Sequence, residues 1–312
     1  MRKQIQNGNR MEWFDGFTAE RFKIGNASDG VEIFGRFGGD RAKPALLLLH
    51  GFPQSHVMWH RVAQQLQKDF FLVMPDLRGY GDSTKLLATD DHAQASKRSL
   101  AQDMVDVMAA LGVDKFDVCG HDRGGRVAHR LALDHASKVR KLCVIDIAPT
   151  LDMYDATNMA FAQAYYHWFH LIQPSPLPER MIHGDWKNYL HTKLGGWGST
   201  GLGYIEPQAL AEYERCFSQV KTLHAMCEDY RASAGVDLVH DRASRAAGDK
   251  LACNTLVLWG ERGVVNRMFK PMELWQAQCS AVVTGQVMAA GHFIPEELPH
   301  ETAQALVNFF AL

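Results

Sequence analysis

The stretch "GHDRGGR" (residues 120–126) follows an apolar run and precedes a helical pattern. It has the outline of a sharp strand-to-helix elbow that lifts its central residue above a sheet, with Gly120 and Gly124 supplying small residues on either side of Asp122. The competing reading is an ordinary turn in which Asp122 serves as helix N-cap. A nucleophile at an elbow needs a base. Among 15 histidines, His292 in "AAGHFIPEE" is the one in a loop between the last strand pattern and the last helix pattern. The base in turn needs a carboxylate to orient it. Two residues qualify: Asp146, at the end of the apolar run "CVIDIAP", and Glu261 in "WGERGVV", a segment in which Gly263 stands where an acid would be sought. Asp146 is favoured because an unpaired carboxylate at a buried strand end is costly. "HGFP" (50–53) follows another apolar run, so the backbone N–H groups of Phe52 and Arg123 are the expected oxyanion donors. The Phe52–Pro53 bond is a candidate cis bond.

Aspartate in place of serine changes the reaction. A carboxylate displaces a leaving group at a saturated carbon, and the ester it forms carries a carbonyl that histidine-activated water can attack. Carbon–halogen bonds and epoxides fit that description. Arg123, Arg126 and Arg130 recur at spacings of three and four, on one face of a helix beginning after Asp122. The first two fall in the first turn, where cations oppose the helix dipole. An anionic substrate would offset them, and guanidinium groups suit a carboxylate. They are also expected to hold Asp122 ionised. The alternative is that they serve internal ion pairs. A departing halide needs neutral donors, which His167 and Trp168 in "YHWF" and Tyr230 in "CEDYRAS" could supply; otherwise these aromatic residues are packing.

Short β-rich runs that position these residues alternate with helical patterns. Strands are expected at 45–52, 70–76, 116–122, 141–149, 254–260 and 281–288, and a hairpin within 20–37. Most are continuously apolar, as in a parallel sheet covered on both faces. Helices are expected at 57–68, 97–111, 124–136, 268–278 and 299–311. The alternation stops near Thr150 and resumes near 246, so 1–150 and 246–312 are read as one core and 151–245 as a mostly helical insertion after the sixth strand. Ligands of such sheets bind beyond the carboxyl ends of the strands, where His50, Asp122, Asp146 and the loop carrying His292 all fall.

The chain has 312 residues, 46% hydrophobic and 22% charged, with a formal net charge of −2. That balance argues against nucleic acid or another polyanion as partner. The six cysteines show no CxxC spacing and read as reduced core residues. No apolar run is long enough for a membrane span, and "MRKQIQNGNRMEWF" lacks the apolar stretch of a signal peptide; a cytoplasmic location is the expectation. Residues 1–10 read as a loose polar tail, with Met11 a possible second start.

Taken together, "HGFPQSHVMWHRV", "DLRGYGDS", "GHDRGGRVAHRLALDH", "VIDIAPT", "YHWFHL", "CEDYRA" and "GHFIPEE" resemble the haloacetate (fluoroacetate) dehalogenases of the α/β-hydrolase fold, over about residues 20–312. The resemblance implies a mostly parallel eight-stranded sheet flanked by helices, with a helical cap. It implies Asp122 as nucleophile, His292 as base and Asp146 as its orienting acid. Arg123 and Arg126 would hold the substrate carboxylate, and His167, Trp168 and Tyr230 the halide. Trp197, in the glycine-rich loop at 195–203, would line the pocket. It further implies a small anionic substrate, a homodimer, and no cofactor or metal. An epoxide hydrolase with the same nucleophile is the runner-up; such enzymes usually carry tryptophan after the nucleophile, where this chain has Arg123.

Overall fold

The computed structural model describes residues 14–25, 30–85 and 89–311; the expected loose tail at 1–10 and Met11 lie outside them. The strands are β1 (Phe17–Ile24), β2 (Val31–Gly38), β3 (Ala45–Leu49), β4 (Phe71–Pro75), β5 (Phe116–His121), β6 (Val139–Ile145), β7 (Asn254–Gly260) and β8 (Val283–Met288). They form one eight-stranded sheet in the order β1-β2-β4-β3-β5-β6-β7-β8. The β1–β2 hairpin and the β2–β4 pair are antiparallel; every pairing from β4 to β8 is parallel.

Burial follows from position in the sheet. β3, β4 and β5 are buried at every residue, because helices cover both faces of the centre. β1 and β8 are edges and keep several exposed residues. The helices Lys97–Ala110, Arg123–Asp134, Pro271–Gln278 and Pro299–Phe310 match the expected segments within a few residues. Two ends differ. The segment after "HGFP" opens as a 3₁₀ turn, His56–Trp59, before the helix His60–Leu66. The helix expected from 268 begins at Pro271, which fits a first helical turn because it has no N–H to donate, and a separate short helix, Val264–Met268, precedes it.

Between β6 and β7 the described chain is helical: Thr150–Asp155, Met159–Ala164, Tyr166–Leu171, Leu177–Gly184, Trp186–Leu194, Pro207–Phe217, Val220–Ala234 and Val236–Ala247. Val220–Ala234 is the spine of this insertion, with Leu223 and all residues from Ala225 to Ser233 buried. The six cysteines are free and buried. Among the described residues no helix is long and apolar enough to cross a membrane.

Candidate active site

The elbow after β5 is built by sterics. Asp122 has φ 47° and ψ −114°, a conformation unfavourable for a residue with a side chain. A Cβ on Gly120 would lie 2.3 Å from the Gly124 carbonyl oxygen, and one on Gly124 would lie 2.4 Å from that of His50. Glycine at both positions is therefore required for the turn to pass this close to β3. The Asp122 side chain makes no capping bond to the helix Arg123–Asp134, which rejects the N-cap reading. Its Oδ1 instead accepts the Phe52 N–H at 2.9 Å. Its backbone N–H bonds to the Ile145 carbonyl of β6 at 3.2 Å.

Asp146 follows β6, also at positive φ (51°), and is tied to β7 through its N–H to the Leu258 carbonyl at 2.8 Å. Its Oδ2 lies 2.6 Å from His292 Nδ1, and its Oδ1 accepts the Gly260 N–H at 3.0 Å. Glu261 is exposed, so the structure brings Asp146 and not Glu261 to the histidine. Gly263 contributes by its size: a Cβ there would sit 3.2 Å from Asp146 Oδ1. Because an ionised carboxylate only accepts, His292 carries its proton on Nδ1 and presents the Nε2 lone pair to the other side. That atom is 3.9 Å from Asp122 Oδ2, too far for a hydrogen bond.

The charges in this line support one another. Burial alone would lower the basicity of His292, but the Asp146 hydrogen bond and charge, with the Asp122 charge, outweigh it and hold the imidazole above its ordinary value. Burial would raise Asp122, yet the charges of His292, Arg126 and Arg123 hold it below the usual carboxylate range. His121 is kept neutral by burial, its pKa pushed down to about 3, and its Nε2 bonds to the His292 carbonyl at 2.8 Å.

The insertion closes the site from above. Phe52 stacks on His167 (centroids 5.9 Å apart) and meets Tyr230 edge-on at 5.4 Å. Trp197 lies 4.7 Å from the His167 ring and 5.2 Å from that of His292. His167 Nδ1 and the Tyr230 hydroxyl are buried without a protein partner. Burial depresses His167 strongly, so it is a neutral donor. Trp168 sits one layer back, stacked on Tyr165 (5.7 Å) and under the Arg126 guanidinium, 4.8 Å from its ring centre.

The two arginines turn out unequal. Arg123 is fully engaged on one side: its Nε donates to Asp229 Oδ2 at 2.6 Å, and Nη2 to the Asp229 carbonyl at 2.9 Å and to Ser233 Oγ. Its guanidinium lies 4.2 Å over the Tyr230 ring. Asp229 also takes Lys97 Nζ and, at 2.8 Å, the Tyr80 hydroxyl. The internal ion pair considered for these arginines thus exists at Arg123. Arg126 donates only to neutral groups, the Ala148 carbonyl (3.3 Å), Thr150 Oγ1 (2.9 Å) and Met153 Sδ (3.3 Å). Among the described residues it has no ion pair. One N–H on each remains without a partner, Nη1 of Arg123 and Nε of Arg126. Arg130 belongs elsewhere, bonded to Asp134, Asp241 and Ser244.

Asp229 was not anticipated. Its signal was present: "CEDYRAS" places an acid immediately before Tyr230, and Asp229 and Ser233 are four apart, hence on one helical face. What the sequence does not show is that this face meets Arg123.

A family model for the alpha/beta hydrolase fold matches residues 44–299. The chain is 37% identical to a fluoroacetate dehalogenase from Burkholderia sp over 298 residues, covering 96% of this chain and 95% of that protein. It is 32% identical to a soluble epoxide hydrolase from Corynebacterium sp. (strain C12), covering 85% of this chain and 90% of that one. Among solved structures, a protein from Nostoc sp PCC 7120 provisionally assigned to the α/β hydrolases superposes with a TM-score of 0.90 at 48% identity, covering 95% of this chain and 99% of that one.

Proposed function

This chain belongs to the α/β-hydrolase family, and we propose that within it the protein is a haloacetate dehalogenase, converting fluoroacetate or chloroacetate to glycolate and halide. The observation that carries this reading is Arg126: a buried guanidinium beside an ionised nucleophile, with no carboxylate of its own among the described residues. Burying a charge without a partner is expensive, and a substrate carboxylate would remove that cost on binding. The likeness to the Burkholderia fluoroacetate dehalogenase supports the same substrate class.

In this reading the free N–H groups of Arg123 and Arg126 grip the substrate carboxylate. Asp122 Oδ2, the oxygen not held by Phe52, attacks the adjacent carbon, and the halide leaves with the bonding pair. His167 and Tyr230 face the leaving group, with Trp168 completing the donors. The ester carbonyl is then Oδ1, already on the Phe52 N–H. His292 Nε2 takes a proton from water, the hydroxide adds to the ester carbon, and the tetrahedral oxyanion is held by the Phe52 and Arg123 N–H groups. On collapse the departing glycolate oxygen takes the proton from His292, and the Asp122 carboxyl loses the proton that came with the added hydroxide to solvent, which restores the carboxylate. Esterification also removes the Asp122 charge, one of the influences that raise the His292 pKa, so more of the imidazole is neutral and able to accept a proton at the step that needs a base. The insertion 151–245 acts as a cap that excludes bulk water from the core formed by 1–150 and 246–312, and the active unit is a homodimer.

The epoxide hydrolases among its relatives define the rival, and the unpartnered Tyr230 hydroxyl could serve an epoxide oxygen. Halide release from fluoroacetate, chloroacetate and bromoacetate, run beside diol formation from an aryl epoxide, separates the two. Halide from the haloacetates is the expected result. Diol from the epoxide with no halide from any haloacetate would overturn the proposal.

A further inference from the structure

Behind the wall formed by His167 and Trp197 lies a second unpaired cation. Lys193, in the last turn of the helix Trp186–Leu194, is 4% exposed. Its ammonium rests on three rings, 3.7 Å from the Tyr166 centroid, 5.1 Å from Tyr189 and 5.6 Å from Trp197. Among the described residues no carboxylate pairs with it. The nearby acids pair with other cations: Glu179 through Oε1 with Arg231 and His224, its Oε2 left without a hydrogen bond, and Glu214 with Lys187 and His191. Burial pushes Lys193 down to about 8, so at neutral pH it keeps its charge. Ring faces stabilise a desolvated cation only in part.

Polar atoms without partners gather around the same spot. Both ring nitrogens of His170 and the Tyr189 hydroxyl have no protein hydrogen bond. His170 lies 6.2 Å from the Tyr189 ring and 6.5 Å from that of Tyr166. The Lys193 charge reaches both His170 and His167, acting on each to disfavour protonation. A buried ammonium, a neutral imidazole and a phenol that all lack partners are jointly satisfied by one small anion.

We propose that Lys193, His170 and Tyr189 form a binding site for a single inorganic halide ion, separated from the catalytic pocket by Trp197 and His167. Tyr166, whose ring lies 3.7 Å from the Lys193 ammonium, is 46% exposed and forms the solvent side of this cluster. Its role as a station through which the product halide leaves rests on the dehalogenase reading above; its capacity to bind halide does not.

Bromide soaked into crystals of the unmodified protein, located by anomalous scattering, is the probe. The expected result is a bromide peak in contact with Lys193 Nζ that is absent from Lys193→Met crystals. In solution, inhibition of haloacetate turnover by added bromide at constant ionic strength should weaken by about tenfold in Lys193→Met, equivalent to about 1.4 kcal/mol of halide binding. No peak at Lys193 in the unmodified protein overturns the site, and a peak that persists in Lys193→Met marks an adventitious ion and overturns it equally. The soak needs no turnover, so the two ideas fail separately. A Lys193-dependent peak in a protein that releases no halide from haloacetates leaves the anion site standing and removes the dehalogenase reading.

Discussion

Two sides of the site are built on opposite terms: the sheet-edge line of Asp146, His292 and Asp122, and the donors that surround it. Along the sheet edge, Asp146 has both oxygens taken, His292 has its Nδ1 proton placed, and Asp122 Oδ1 already holds the Phe52 N–H. Around it, His167 Nδ1 and the Tyr230 hydroxyl from the insertion, with Arg123 Nη1 and Arg126 Nε from the first turn of the elbow helix, are buried with nothing to bond. The first set is complete without a ligand; the second is completed by one. Preorganised groups lower a barrier because they need not rearrange, whereas unsatisfied groups select whatever satisfies them. In the proposed reaction, the chemistry therefore resides on the sheet-edge side and substrate choice on the donor side.

The largest predicted effect tests the sheet-edge side. Asp122→Asn should lower kcat by at least about 10⁴-fold, and His292→Asn should arrest the reaction at the ester. Mass spectrometry of His292→Asn with chloroacetate should find a mass increase on the peptide holding Asp122; an unmodified peptide during measured halide release would remove covalent catalysis.

The arginines test the other side, and the two should fail differently. Arg123→Leu breaks the buried pair with Asp229 and should lower unfolding stability by about 3 kcal/mol, measured by urea denaturation. Arg126→Leu breaks no ion pair and should cost far less stability. It should instead lower kcat/KM for haloacetates by about 10²-fold, the scale of losing one buried charge partner of the substrate, while sparing a neutral alkyl halide. Equal losses on charged and neutral substrates would show that Arg126 holds the pocket's shape and not the carboxylate.

The smallest effect joins the two sides. In the free protein His292 is held above its ordinary pKa of 6.5, so it stays protonated to a higher pH than a free imidazole; in the ester the Asp122 share of that rise is gone, so ester hydrolysis should fade as pH falls through a value below that of the free protein. Asp122→Asn removes one of the anions responsible, as the ester does. Its His292 should therefore titrate at a lower pH than in the unmodified protein, read from the imidazole resonances by NMR. An unchanged titration would assign the upward pull to Asp146 and Glu297 alone.

Much of this molecule is legible from its chain. Continuous apolar runs mark strands covered on both faces, and β7 is recovered end to end. Strand ends are less legible: the run at 141–149 is a strand only over 139–145, because an apolar residue is equally at home in a buried turn such as Ile147–Ala148. Asp122 is visible because glycines frame it, and the choice of Asp146 over Glu261 could be argued from the cost of an unpaired buried carboxylate. The inequality of Arg123 and Arg126 was not visible, since both share the first turn of one helix.

Local constraints are written in local sequence. An elbow needs small neighbours within a few positions, and a buried strand needs an unbroken apolar run, so the sheet, the elbow and the aspartate at its centre could be read from residue types alone. Pairing across the fold obeys no spacing rule. Asp229 stands 106 residues from Arg123 and neutralises it, while Arg126, three residues on, meets only neutral groups. Which cation is left waiting for an anion was decided by how the helix Val220–Ala234 lies across the elbow, because the energy of a charge depends on what folding brings within a few ångströms of it.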